Sequence, residues 1–413
     1  MNRKTGLLIA ATVILLLIQN TAAASCGDKI TKDTDLREDL LCTEEGLTVT
    51  ESNVTLNCHG NRIKGLDSYR TGLKALNVGN ITVKNCRVSG FNTGIKLENV
   101  NKSLLVNNSV KDSRGAGIRL ESSYRNRLVS NTANRNWDGF FLQNSSSNII
   151  TGSKASYNEV NGVHIFYGSK NNVIEGNNLT WNYGHGLAPA TCGNKISENL
   201  AGTGKPIKYV QNSRNVEIKD TAAFSEIIFC NVSNSLIDNV SISNGYTTSD
   251  GILLVSSTGN TIRDSRFRSV RTAVYLFRNS NNNKVSENSI YSSDIGVRIR
   301  YNSKYNKVSR NRLNDTEIYF KTVRNSENNL FISNTIEGKE KTFKYRGEIK
   351  VRYINNTVKY SGNVTETRNR SQGRIKGLIY VLGVLILVFG ILGFRSFSAG
   401  RESSPRNLIT ELF

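Results

Sequence analysis

Gly94-Ile-Lys-Leu97, Gly117-Ile-Arg-Leu120, Gly139-Phe-Phe-Leu142 and Gly162-Val-His-Ile165 follow one another at intervals of 23, 22 and 23 residues. The pattern returns as Gly251-Ile-Leu-Leu254, Ala273-Val-Tyr-Leu276 and Gly296-Val-Arg-Ile299. A second short unit alternates with it: Asn126-Arg-Leu128, Asn172-Val-Ile174, Asn194-Lys-Ile196, Asn283-Lys-Val285 and Asn306-Lys-Val308. Asn131, Asn177, Asn199, Asn288, Asn311 and Asn334 recur just past the central apolar residue of such units. Apolar alternation with period 2, punctuated by Gly, Asn and Ser, describes two or three short strands per repeat. One coil of this kind cannot bury its own apolar face. Parallel stacking at about 4.8 Å per coil closes a shared core and pairs the interior backbone edges. The recurring Asn fits a stacked amide ladder, and the Gly fits a turn at positive φ or a close backbone approach. No segment sustains a 3.6 period, so helical solenoids are excluded, and the leucine spacing of leucine-rich repeats is absent.

The expected fold is therefore all-β, a parallel solenoid of about a dozen coils and roughly 55 Å. It would occupy residues 47–337, with an N-terminal cap over 25–46 and a last coil and stalk over 338–374. Residues 200–250 keep the alternation but lose the Gly signature, as in Pro206-Ile-Lys-Tyr209 and Glu226-Ile-Ile-Phe229. Irregular coils or an excursion from the rod both account for that.

The chain has 413 residues, with 54 Lys+Arg against 33 Asp+Glu and a formal charge of +21. That balance points to acidic partners: acidic polysaccharide, anionic headgroups or wall polymers. No nucleic-acid motif accompanies it. A hydrophobic share of 38% excludes wholesale disorder, and three prolines exclude a Pro-rich stalk. The basic start, the apolar run Gly6–Ile18 and Ala22-Ala-Ala24 describe a signal peptide over residues 1–24. The uncharged run Leu378–Phe394 predicts a membrane helix over 375–395, with a cytoplasmic tail over 396–413. Together these predict a single-pass protein whose N-terminal part faces outside the cell membrane. Six cysteines fit an oxidising compartment, with Cys26–Cys42 the preferred disulfide. Cys58, Cys86, Cys192 and Cys230 fall within repeats and read as small buried apolar residues. Glycosylation sequons stand at Asn53, Asn80, Asn101, Asn107, Asn144, Asn178, Asn231, Asn239, Asn314, Asn355, Asn363 and Asn369.

Cys26-Gly-Asp-Lys-Ile30, Asp39-Leu-Leu-Cys42 and Val54-Thr-Leu-Asn-Cys-His-Gly-Asn-Arg-Ile63 resemble the opening of NosD-type proteins. These sit within the superfamily of pectate lyases, polygalacturonases and carbohydrate-binding β-helices. The resemblance covers residues 26–337 and implies a right-handed parallel β-helix. It also implies an extracytoplasmic location and copper handling, as in the member that assists nitrous oxide reductase maturation.

In each repeat the second and fourth residues should face inward and the third outward. The outward column then reads Lys96, Arg119, Phe141, His164, Tyr275 and Arg298, and the fifth position adds Glu98, Glu121, Gln143, Phe166, Phe277 and Arg300. Residues preceding the Gly add Asp138, Asn161, His185 and Asp250. Basic groups interleaved with rings suit an anionic carbohydrate, with Lys96, Arg119, Phe141, His164, Phe166, Tyr275, Phe277 and Arg298 as the expected contacts. The plain alternative is a solvated strand face built from residues that favour sheets. For catalysis the candidates are Asp138, His164, His185 and Arg119, which would make the chain a polysaccharide lyase or glycoside hydrolase. Gly184-His185-Gly186 matches a short polygalacturonase motif, but the Asn-Thr-Asp and Asp-Asp motifs expected before it are missing. The metal candidate is Cys58, His59 and Cys86. No cofactor is firmly expected; copper follows the resemblance and calcium would follow the lyase reading. The favoured expectation is a cell-surface binding or structural module rather than an enzyme.

Overall fold

The computed structural model describes residues 24–66, 69–245, 249–316, 318–338 and 352–360. The expected signal peptide (but for Ala24), membrane helix, cytoplasmic tail, Asn363 and Asn369 lie outside these residues. Among the described residues no helix is long and apolar enough to cross a membrane.

The chain winds into a right-handed parallel β-solenoid of about 13 turns. Most coils contribute one short strand to each of three sheets; in the coil after Asp138 the third is reduced to a single bridge at Lys154. In the N-terminal part the first sheet has eight strands, from Lys29–Ile30 through Thr93–Glu98 and Ala116–Glu121 to Leu187–Pro189. Its register is repeat on repeat: Ile95 pairs with Ile118, Ile118 with Phe140, and Phe140 with Val163. The second sheet stacks Leu105, Leu128, Ile150 and Ile174 in the same manner. Every inward residue thus lies above its homologue, and the resulting aliphatic columns are buried. The segment expected as a cap supplies the first strand of all three sheets, and the Cys26–Cys42 disulfide closes it.

Two devices hold the coils in register. Buried asparagines form ladders: Asn126 Nδ2 donates to Asn148 Oδ1, Asn148 to Asn172 and Asn172 to Asn194, all at 3.0–3.1 Å. Their second amide hydrogens go to carbonyls of the preceding coil, so turn backbone that would otherwise be buried and unpaired is satisfied. The repeat glycines mark close approach rather than positive φ. A Cβ on Gly94 would lie 2.7 Å from the carbonyl oxygen of Gly117, and one on Gly139 would lie 2.6 Å from that of Gly162.

The single rod is corrected by the structure. Parallel stacking stops at the third-sheet strand Leu200–Gly202, which turns through Thr203-Gly204 and pairs antiparallel with Lys205–Arg214. A second stack starts there, built on Lys205–Arg214, Glu226–Ser233, Ile252–Val255, Thr272–Phe277, Ile295–Arg300 and Ile318–Val323. Its second and third sheets continue to Arg352–Ile354 and Thr357–Tyr360.

The two stacks have separate cores that share strands. Ile227, Phe229, Ile252, Leu254, Val274 and Leu276 fill the second core, whereas their neighbours Ile228, Cys230, Leu253, Val255 and Tyr275 join the core of the first stack. A solenoid that simply ended at residue 202 would expose its last coil. Here the outer face of the second stack covers it, and burial of that apolar surface drives the docking. The third position is half-buried at Lys96, Arg119 and Phe141 of the first stack and buried at His164, whereas in the second it is buried at Ile228, Leu253, Tyr275 and Arg298, with Leu253 and Tyr275 both 4% exposed. Cys192–Cys230 fastens the two stacks, and Cys58–Cys86 links neighbouring coils. These four cysteines are paired, not merely small core residues.

Candidate binding site at the junction of the two stacks

The residues preceding the repeat glycines form one hydrogen-bonded chain across the junction. Asn161 donates to Asp138 Oδ1 from its backbone N–H at 3.0 Å and from Nδ2 at 2.9 Å. Its own Oδ1 accepts the N–H of His185 at 3.2 Å. His185 Nε2 lies 3.1 Å from Asp250 Oδ2, and Asp250 Oδ1 accepts from Arg271 Nε and the N–H of Thr272, both at 3.0 Å. His164 Nδ1 lies 3.2 Å from Asp138 Oδ2. Asp138, Asn161, His185 and Asp250 were legible as one column in the sequence and His164 as part of the outward column, whereas Arg271 and Thr272 were not singled out.

Burial sets the charges. It pushes His185 down to about 4, even with the Asp250 carboxylate beside it, so the imidazole is neutral and donates to Asp250 as an uncharged partner. Burial also pushes the Asp250 carboxyl up, but Arg271 and His185 outweigh it and hold Asp250 below the usual carboxylate range. Glu226 is displaced the other way. It accepts the N–H of Gly186 at 2.7 Å, capping an edge amide of the last first-sheet strand of the N-terminal stack, and burial raises it to about 8.

The expected ligand column divides into three zones. In the first, the cations are already partnered. Glu98 receives Lys96 at 2.8 Å and Lys74 at 2.9 Å, and these two contacts hold its carboxyl down to about 2. Lys96 also reaches Glu121 at 3.2 Å, and Arg119 reaches Glu121 and Gln143 while its guanidinium lies over Phe141. The second zone is aromatic: Phe141, His164 and Phe166 form one ring cluster with centroids 5.0–5.7 Å apart. Asp138 and His164, the catalytic candidates, are within this zone and buried, and Arg119 borders it. His185 instead turns to the second stack, where Tyr275 lies nearly parallel to it.

The third zone is a groove with walls from both stacks. Tyr167, Lys170 and Thr191 line it from the first; Asn231, Arg278, Asn279, Tyr301 and Asn302 line it from the second. Arg278 Nη1 donates to the carbonyl of Ala190 at 2.6 Å, and its guanidinium sits 3.8 Å from the centre of the Tyr167 ring. Arg278 and Lys170 are the charged residues among the described lining, which contains no carboxylate. Arg278, Tyr301 and Arg324 have φ of 49°, 56° and 59°, in the turn where the first stack has Asn77, Asn99, Ser122 and Asn144. Left-handed backbone is easy for Asn and costly for bulky residues, so these side chains are held there against local preference. Tyr275, Phe277 and Arg298 stand beside this groove, with Arg298 over Tyr275. The sequence did not single out Tyr167, Lys170, Arg278 or Tyr301. The available signal was the unbroken apolar character of Ile227–Cys230 and Ile252–Val255, which marks strands buried on both faces.

The metal candidate is corrected. Cys58 and Cys86 form a disulfide and offer no thiolate, and the exposed His59 contacts Asp35 at 2.7 Å. Among the described residues no three His, Cys, Asp or Glu side chains come together as a metal site.

The family model described as "Periplasmic copper-binding protein (NosD)" matches residues 26–201 and 190–369. No curated protein matches the chain. Among solved structures, the chain is similar to the A-module of an Azotobacter vinelandii mannuronan C-5 epimerase, at 13% identity and a TM-score of 0.33, covering 85% of this chain and 94% of that one. It is similar to an alginate lyase from a Paenibacillus species at 11% identity and 0.23, covering 84% and 96%. It is also similar to a Yersinia enterocolitica family 28 exopolygalacturonase at 10% and 0.29, covering 83% and 73%.

Proposed function

The chain belongs to the NosD family, and from that premise we propose that it is an extracytoplasmic, membrane-anchored binding module that takes anionic carbohydrate in the junction groove. The observation that carries this reading is the groove's composition: two cations, two exposed or half-exposed tyrosine rings, several amides and no carboxylate. A sugar carboxylate or sulfate pairs with Arg278 and Lys170, and the ring faces of Tyr167 and Tyr301 take the sugar's apolar side. The periplasmic description of the family and three disulfides support the location, and Leu378–Phe394 is the proposed anchor. Copper has no part in this reading, because the described cysteines are all in disulfides and the histidines are separately engaged. Of the sequons, Asn231 lies in the groove, so a glycan attached there would compete with the ligand.

The test is binding of the full chain to polygalacturonate, alginate and chondroitin sulfate, with dextran as the neutral control. Chain cleavage is followed in the same samples with and without Ca²⁺. The expected result is binding to acidic polymers that weakens with salt and falls about tenfold or more in K170A/R278A, without new chain ends. Equal binding by the double variant, or no acidic binding at all, would remove the groove as the site. New ends or ultraviolet-absorbing unsaturated products would make the protein an enzyme and direct attention to Asp138 and His164.

A further inference from the structure

On several coils of each stack the turn residue just past the third sheet adopts left-handed backbone. In the C-terminal stack the position holds Ser269 (φ 49°), Ser292 (46°) and Asp315 (48°), residues suited to it. In the N-terminal stack it runs Gly90 (78°), Asp112 (58°), Arg135 (56°), Tyr157 (59°) and Trp181 (59°). These are successive coils of one column, as the pairing of the preceding strands shows up to Arg135 and the bridges Thr132–Lys154 and Lys154–Asn178 show from there to Tyr157 and Trp181. A bulky ring is a poor occupant of this backbone region. Neither ring fills the core: Tyr157 is 56% exposed and Trp181 is half-buried at the surface. Their planes are only 5° from parallel, with centroids 6.4 Å apart. The fold therefore accepts local strain at two adjacent coils and sets two nearly parallel rings beside each other at the surface.

We propose that Tyr157 and Trp181 form a stacking platform for a neutral, β-linked polysaccharide, a second glycan site independent of the junction groove. An aromatic face carries partial negative charge that attracts the polarised C–H groups on the flat side of a pyranose ring. Equatorial β-linkages keep successive sugar rings in one ribbon, which suits two nearly parallel rings on neighbouring coils. The surrounding charges alternate in sign, with exposed Asp112 and Arg135 earlier in the column and exposed Glu159 beyond Tyr157, so nothing here selects an anion. This contrasts with the Arg278 and Lys170 groove.

The test uses the full chain, with cellohexaose and chitohexaose as probes in calorimetry and affinity electrophoresis. Wild type should bind at least one of them, and Y157N/W181N should bind about tenfold more weakly or worse per ring removed. K170A/R278A should bind these neutral probes as wild type does. Because Asn is at home at positive φ, the melting temperature of Y157N/W181N should be unchanged or higher. Failure of both probes to bind, unchanged affinity in Y157N/W181N, or a melting temperature lowered as by a core substitution would each overturn the platform. Loss of neutral binding in K170A/R278A would overturn its independence.

Discussion

The strands Thr93–Glu98 and Thr272–Phe277 occupy the same place in their coils and spell the same inward pattern, Ile95 and Leu97 in one, Val274 and Leu276 in the other. Their outward residues meet opposite fates. Lys96 and Glu98 stay at the surface, pair with each other within the strand, and reach Glu121 and Lys74 on the neighbouring coils. Tyr275 is buried against His185, and Phe277 packs on the first stack's core. The inward half of such a strand answers to its own coil, whereas the outward half answers to whatever approaches it. In the C-terminal stack the approaching surface is the end of the N-terminal stack, and the groove with Arg278 exists only because the two meet.

If the interiors are equivalent, breaking the amide ladder in either stack should cost the same. Asn172 and Asn283 each donate to the next asparagine and to a carbonyl of the preceding coil, and each accepts two hydrogens from the preceding asparagine. N172A and N283A should each lose roughly 4 kcal/mol, since several buried polar groups lose partners together. Urea midpoints that place the two variants more than about 1 kcal/mol apart would break the equivalence.

The outward faces should differ. Y275A removes a buried ring at the junction and is expected to cost about 3 kcal/mol. A loss below about 1 kcal/mol would mean the outer face of the second stack contributes little to docking.

A pH titration of stability sharpens the same contrast, because the strongly shifted buried acid and imidazole lie at the junction. His185 has a folded value of about 4 against an ordinary 6.5, so its contribution is present above 6.5 and is lost as pH falls through 4. Glu226 has a folded value of about 8 against 4.5, so its contribution is present below 4.5 and is lost as pH rises through 8. Between 4.5 and 6.5 the two slopes oppose each other, and from 6.5 to 8 Glu226 acts alone. Stability should stay nearly flat over the first interval and fall by about 2 kcal/mol over the second. E226Q should abolish that fall; a fall that persists in the variant would assign it to other groups.

The smallest effect is expected on the open face. K96A removes half-buried ion pairs at the surface and should change stability by less than about 1 kcal/mol, with the remainder screened at high salt. A larger loss would show that the Lys96–Glu98–Glu121 ladder supports the coil rather than decorating it.

Much of the candidate site was readable without coordinates. Asp138, Asn161, His185 and Asp250 could be aligned as one column, because they share a fixed place relative to the repeat glycine. The groove was not readable. Arg278 and Tyr301 fall just beyond the strand, where the sequence shows only turn residues, and Tyr167 and Lys170 lie more than a hundred residues before them. The disulfide partners of Cys58, Cys86, Cys192 and Cys230 were hidden for a related reason, since pairing depends on which coils or stacks lie side by side.

By itself the sequence determined the coil: its length, the inward columns, the asparagine ladders and the closely packed glycines. These are set by contacts between one repeat and the next, which the period fixes directly. Tertiary structure decided where the stacking breaks at residues 200–206, which outward residues are buried, and which charges lie in water. Those outcomes depend on the docking of one stack's end against another's side, a contact between distant segments that no periodicity encodes.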